Sequence, residues 1–127
     1  MNEQTNSLNW FEIPVADFER ARHFYQVVFG IHMHVENMMG MKMAYFPMQM
    51  GSGKASGALV QSDFHTPSME GSIIYLNANP DMNDVLVRIE QEGGQILMPK
   101  THITDEVGYM AFFKDSEGNR VAVHSQN

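Results

Sequence analysis

The sequence predicts an α+β fold of two paired βαβββ modules, their strands forming an open, cup-like mixed β-sheet with the helices on the outside. Three observations predict it. Met43-Ala44-Tyr45-Phe46 recurs in the second half as Met110-Ala111-Phe112-Phe113, each copy soon after a glycine. A segment of helical period ending in glycine precedes each copy. The remaining segments alternate or run apolar over strand lengths and are bounded by turn residues.

The first strand spans Asn9 to Val15, with Phe11, Ile13 and Val15 on one face and Trp10, Glu12 and Pro14 on the other. Asp17 is placed to cap a helix carrying Phe18, Ala21, Phe24, Tyr25 and Val28 at helical spacing, and Gly30 to end it. Strands follow at Ile31 to Glu36, Lys42 to Met48 and Ala55 to Gln61, the last after a Gly-Ser-Gly-Lys turn. The second module repeats the plan. A strand covers Ser72 to Asn77. Pro80 and Asp81 open a helix with Met82, Val85, Leu86 and Ile89 on its buried stripe, and Gly93 and Gly94 end it. Strands at Gln95 to Met98, Gly108 to Lys114 and Asn119 to His124 complete it. Asp115 to Asn119 supplies a tight turn, and the last strand sets Val121 and Val123 against Arg120, Ala122 and His124. The boundaries are 8–62 and 71–125 within one domain, 1–127.

A chain of 127 residues with 43% hydrophobic content is long enough to bury a core. It has no cysteine, which excludes disulfides and thiol chemistry and fits a reducing cytoplasm. A net charge of −7 disfavours nucleic acid as a partner, and neither a membrane span nor a secretion signal is expected. Seven of the twelve methionines fall between Met33 and Met50; ordinary packing is favoured over an adaptable ligand surface.

The stretches "NWFEIPVADFERARHFYQVVFG", "EGSIIYLNANPDMNDVLVRIEQEGGQIL" and "GYMAFFKDSEGNRVAVH" resemble the glyoxalase/bleomycin-resistance/extradiol-dioxygenase proteins, also called the vicinal oxygen chelate superfamily. The likeness runs from Asn9 to Ser125. It implies the fold, a small-molecule ligand and frequent homodimers, and it leaves activity open, because this fold hosts isomerases, dioxygenases, epimerases, thiol transferases and non-catalytic drug-binding proteins. Members with a metal take ligands from the first and last strand of each half. Those positions map to Trp10, near Gly57, Ser72 and Ala122. None is a good ligand for a divalent ion, so no cofactor is expected and a metal is disfavoured, as is a standard glyoxalase reaction.

Two alternatives keep chemistry open. Glu12 and His124 share the face that the family turns to its cavity and are the candidate acid/base pair. His32 and His34, with Glu36, form a weaker candidate metal site on one strand face. Trp10, Ser72, Tyr109, Arg120 and His102 are candidate ligand-binding residues, with His102 on a loop before a cavity strand. Tyr45, Phe46 and Phe113 are further aromatics available to line or flank a cup. The expected function is a metal-independent small-molecule-binding protein. The runner-up is a lyase or isomerase with relocated residues or a relocated metal.

Overall fold

The computed structural model describes residues 1–127. Ten elements follow in chain order: β1 (Trp10–Pro14), α1 (Phe18–Phe29), β2 (His34–Met38), β3 (Met41–Tyr45), β4 (Ser56–Gln61), β5 (Tyr75–Asn77), α2 (Asn83–Gln91), β6 (Gln95–Thr104), β7 (Gly108–Lys114) and β8 (Arg120–Ser125). They form two four-stranded mixed sheets of matching order, β1-β4-β3-β2 and β5-β8-β7-β6. In each, the first and last strands pair in parallel and the other pairings are antiparallel. The repeated tetrapeptide occupies equivalent places, since Ala44 and Ala111 are both fully buried opposite Leu59 and Val123.

α1 forms for the reasons its sequence gives. The Asp17 side chain accepts from the Arg20 amide, Gly30 closes the helix at φ 63°, and the buried stripe is Phe18, Ala21, Phe24, Tyr25 and Val28. That stripe joins Ile13 and Val15 of β1 with Ala111, Phe113, Val121 and Val123 of the second module in one core. The two helices are also tied directly. Arg88 Nε donates to the Val28 carbonyl at 2.8 Å, and His23 meets Glu92 at 2.9 Å.

Four strand boundaries differ from expectation by three residues or more. β2 begins at His34 rather than Ile31, so His32 lies outside it. β3 stops at Tyr45, where Phe46 turns into the core. β5 is only three residues long, because Ser68 and Ile74, not Ser72, accept from the β8 amides of Arg120 and Ala122. β6 runs on to Thr104 through irregular pairing with β7, which places His102 in a strand opposite Tyr109 and not on a loop. The packing expected of the methionine cluster holds for Met33 and Met43, whereas Met39 and Met50 are 88% and 89% exposed.

The turn between β7 and β8 fastens the modules together. Asp115 Oδ1 accepts from the amides of Glu117 and Asn119, and its Oδ2 accepts from the buried Tyr25 hydroxyl at 2.7 Å. Asn119 Nδ2 donates to the Pro14 carbonyl at 2.7 Å, and its Oδ1 accepts from the Ser68 amide at 2.9 Å. Glu117 reaches the start of α1. It accepts from the amides of Ala16 and Asp17 at 2.9 and 2.6 Å and from Arg20 Nε at 2.8 Å. Burial raises the pKa of the Glu117 carboxyl, but donation from Arg20, Asp17, Ser116 and Ala16 outweighs it and leaves the group below its ordinary value.

Replacing Asn119 by Ala breaks its bonds to Pro14 of the first module and Ser68 of the linker and leaves the part-buried Pro14 carbonyl without that donor. The expected cost in urea unfolding is about 2–4 kcal/mol; a loss under about 0.5 kcal/mol would show that the turn does not hold the modules. Glu117→Gln is expected to cost about 1–2 kcal/mol at pH 7. A depressed carboxylate stabilises the fold above its ordinary pKa and loses that contribution as pH falls through the folded value. The gap between wild type and Glu117→Gln should therefore close in acid, and a gap independent of pH between 7 and 3 would contradict the assignment.

Candidate functional site

The strand register defines a sheet face turned away from the core. In the first module it carries Trp10 and Glu12 of β1, Ala58 and Val60 of β4, Met43 and Tyr45 of β3, and His34 and Glu36 of β2. In the second it carries Tyr75, Met110, Phe112, Ala122, His124 and Arg120. Trp10 meets Tyr45 edge-on with centroids 5.8 Å apart, and Tyr75 meets Phe112 in the same manner at 6.0 Å. The Tyr45 hydroxyl donates to Glu36 at 3.1 Å; burial, then this carboxylate, pushes the phenol pKa up. His34 lies 3.4 Å from Glu36 and stacks on Tyr45. Nowhere do three His, Asp or Glu side chains gather in an arrangement that would hold a metal.

Trp10, Ser72 and Ala122 do not fit the divalent metal that the family's metal-dependent members hold. Indole and methyl side chains offer no lone pair to a divalent ion, and a single serine hydroxyl is a weak ligand. Gly57 belongs to packing: a Cβ there would sit 2.3 Å from the Phe11 carbonyl oxygen, on the core side of β4. The β4 residue opposite Trp10 is Ser56, whose hydroxyl is taken up by the carbonyls of Phe46 and Pro47.

Glu12 and His124 have separate partners. His124 Nε2 is held by the Val107 carbonyl in the β6–β7 turn. Glu12 meets a residue of the linker between modules. His65 Nε2 lies 2.7 Å from Glu12 Oε1, His65 Nδ1 lies 2.6 Å from Ser62 Oγ, and Trp10 Nε1 donates to Glu12 Oε2 at 3.3 Å. The result is a chain of polar contacts, Ser62–His65–Glu12–Trp10, with the His65 side chain only 17% exposed. Sequence reasoning missed His65 because the linker loop carries no periodicity that points its side chain. The spacing of Ser62 and His65 was the only available signal.

Tyr109 and His102 lie away from this face. Tyr109 is on the side of β7 shared with Ala111 and Phe113 and packs against the core. His102 packs edge-on to it at 5.2 Å and contacts Asp105, while Lys100 Nζ lies 4.6 Å above the Tyr109 ring and pairs with Asp81. Phe113 is fully buried in the core.

Two cavities open along the seam between β1 and β5. The larger, about 730 Å³, is lined by residues that include Phe11, Phe29, Ile31, Phe46, Ile74 and Leu76, ten of the fourteen being hydrophobic. The smaller, about 180 Å³, is polar and lies where Glu12, Thr66, Glu70, Asn119 and Arg120 converge. Ser72 and Ile74 line both.

This architecture of paired βαβββ modules defines a class. The sequence matches the family described as Glyoxalase/Bleomycin resistance protein/Dioxygenase superfamily over residues 7–123, and the chain belongs to that superfamily. Among solved structures it is similar to a hypothetical protein from S. aureus, with 18% identity over 95% of this chain and 94% of that one and a TM-score of 0.63. It is also similar to an antibiotic-binding protein from Streptomyces sp. CB03234, with 20% identity over 99% and 100% of the two chains and a TM-score of 0.64. A glyoxalase I variant from Zea mays aligns at 15% identity over 94% of this chain but only 45% of that one, with a TM-score of 0.71. At these identities the likeness is one of fold. No curated protein matches the sequence. No helix is long and apolar enough to cross a membrane.

Glu12 and His65 are expected to act as one unit. A double-mutant cycle of Glu12→Ala and His65→Ala in thermal unfolding should give a coupling of about 0.5–3 kcal/mol. The emission of Trp10, the one tryptophan, should change in Glu12→Ala. Additive losses with unchanged emission would mean that the contact is not held in solution.

Proposed function

We propose that the chain is a metal-independent small-molecule-binding member of its superfamily, and that the ligand is an organic compound with an apolar body. The observation that carries this reading is the seam cavity of about 730 Å³ with its mostly hydrophobic lining. A concave apolar pocket with a few polar groups is the usual form of a small-molecule site, and this volume lies within the usual range of about 300–1,000 Å³. Metal independence is supported by the side chains at Trp10, Ser72 and Ala122. The antibiotic-binding protein of similar fold supports binding as a function within this architecture. The reading includes a cytoplasmic homodimer. The absence of cysteine agrees with a reducing compartment, and Met50 and Phe64, 89% and 93% exposed, offer apolar surface for a second copy to cover.

A second reading is favoured by the Ser62–His65–Glu12 contacts. A histidine held between a hydroxyl and a carboxylate is an arrangement suited to proton transfer. In that case the chain is a lyase or isomerase-type enzyme that uses relocated residues. The pair then differs from the one expected, since His65, not His124, meets Glu12. A relocated metal at His32 and His34 would need ligands beyond the His34–Glu36 contact.

A fragment screen by thermal shift, followed by amide chemical-shift mapping, tests the first reading. Perturbations should cluster at Phe11, Phe46 and Ile74, and Ala55→Trp at the cavity rim should weaken binding at least about tenfold, the effect of losing roughly 1.4 kcal/mol. Elemental mass spectrometry on untagged protein should find no stoichiometric divalent metal. Perturbations confined to other surfaces would sink the cavity assignment, and one metal per chain would sink metal independence.

A further inference from the structure

The seam holds a cation without a counterion. Arg120 opens β8 with its side chain on the face that carries Ala122 and His124, and it lines the smaller cleft. Its Nε is buried with no hydrogen-bond partner, and Arg120 belongs to none of the chain's ion pairs. Native structures seldom leave a buried donor unmade, least of all on a charged group, because it forfeits hydration and receives nothing in return.

Nearby carboxylates do not remedy this. Glu12 lines the same cleft, but one of its oxygens is engaged by His65 and the other by Trp10. Glu70 also lines the cleft and is exposed, with no ion pair of its own. The linker holds the arrangement open from both sides. His65 fastens it to β1, while Ser68 binds the Asn119 side chain and accepts from the Arg120 amide. Arg120 therefore lines, without a counterion, a cleft of about 180 Å³ that adjoins the apolar cavity through Ser72 and Ile74. At about 30 Å³ per water, that is room for roughly six waters, or a carboxylate and a few carbons.

We propose that the cleft is an anion subsite in which Arg120 anchors the carboxylate of a small monoanionic ligand whose apolar body enters the adjoining cavity. The planar fork of a guanidinium matches a carboxylate through two parallel hydrogen bonds. Arg120 can pair with one ligand carboxylate, whereas the second charge of a phosphate dianion would meet only Glu12 and Glu70, on a protein whose net charge is already −7. Thr66 and Ser72 add hydroxyl donors at the same cleft. The inference rests on the cavity reading above and names the ligand's charged end.

The test is calorimetric titration of the full chain with 4-phenylbutyrate and with its uncharged counterpart, 4-phenylbutanamide. Wild type should bind the carboxylate at least about tenfold more tightly than the amide, as a charge-assisted hydrogen bond would provide. Arg120→Met, which keeps the apolar stem, should abolish that preference, bringing carboxylate affinity down to that of the amide or below. Arg120→Lys should retain part of it, and serves if the Met variant fails to fold. Equal affinity of wild type for the two probes overturns the anion subsite while the cavity reading stands. A carboxylate preference that survives Arg120→Met and Arg120→Lys undiminished also overturns it. If neither probe binds wild type, the cavity reading falls and this inference falls with it.

Discussion

The structure depends on five residues, Asp115 to Asn119, more than on any other short segment. In sequence they make a tight turn between two strands. In space they are where the second module grips the first. The Asp115 carboxylate orders the turn from within and accepts the Tyr25 hydroxyl of α1, which burial, then Asp115, raises far above its usual pKa. Asn119 reaches back to the end of β1 and Glu117 to the first turn of α1. These groups occupy backbone donors and acceptors that neither module satisfies alone, at the helix start and the strand end. Phe24, Tyr25, Phe113 and Val121 of the two modules pack in one shared core.

Away from that end, no strand pairing closes the seam between the modules. β1 and β5 are the edges of separate sheets and do not pair with each other. An unpaired edge next to a second edge has to be covered or filled. At the fastened end the linker from Ser62 to Ser72 crosses the gap and encloses a small polar cleft. Farther along, Phe11, Phe46 and Ile74 face an apolar cavity. The proposed ligand cavity therefore lies between modules rather than on the open sheet face that carries Trp10 and Ala122. That face is itself partly filled by side chains, with Trp10 against Tyr45 and Tyr75 against Phe112.

Fold and chemistry have separate determinants in this chain. Glycine and proline turns, two amphipathic helices and alternating strands specify the architecture, and none of those signals involves a catalytic group. At the positions that the resemblance maps to metal ligands, this chain's Trp10, Ser72 and Ala122 supply an indole, a hydroxyl and a methyl. Its polar resources are instead the His65–Glu12 contact and the Arg120 guanidinium, both beside the linker.

The sequence by itself determined the modules, their element order and most of the helix and strand faces. The buried stripe of α1, from Phe18 to Val28, and the alternation of Val121 and Val123 with Ala122 were legible because periodicity records which side of an element meets the core. Ser62 and His65 were not legible as a site. A loop has no period, and its side chains are aimed by contacts with residues far away in the chain, here Glu12 across the module boundary. The placement of His102 and Tyr109 was missed for a related reason. Irregular pairing carries β6 on to Thr104 through a polar segment that reads as a loop, and one position of parity turns Tyr109 to the core side of β7 rather than the face of Met110 and Phe112. Arg120 was placed on the right face by its parity, but its lack of a counterion was decided only by tertiary structure, because pairing depends on where every other charge comes to rest.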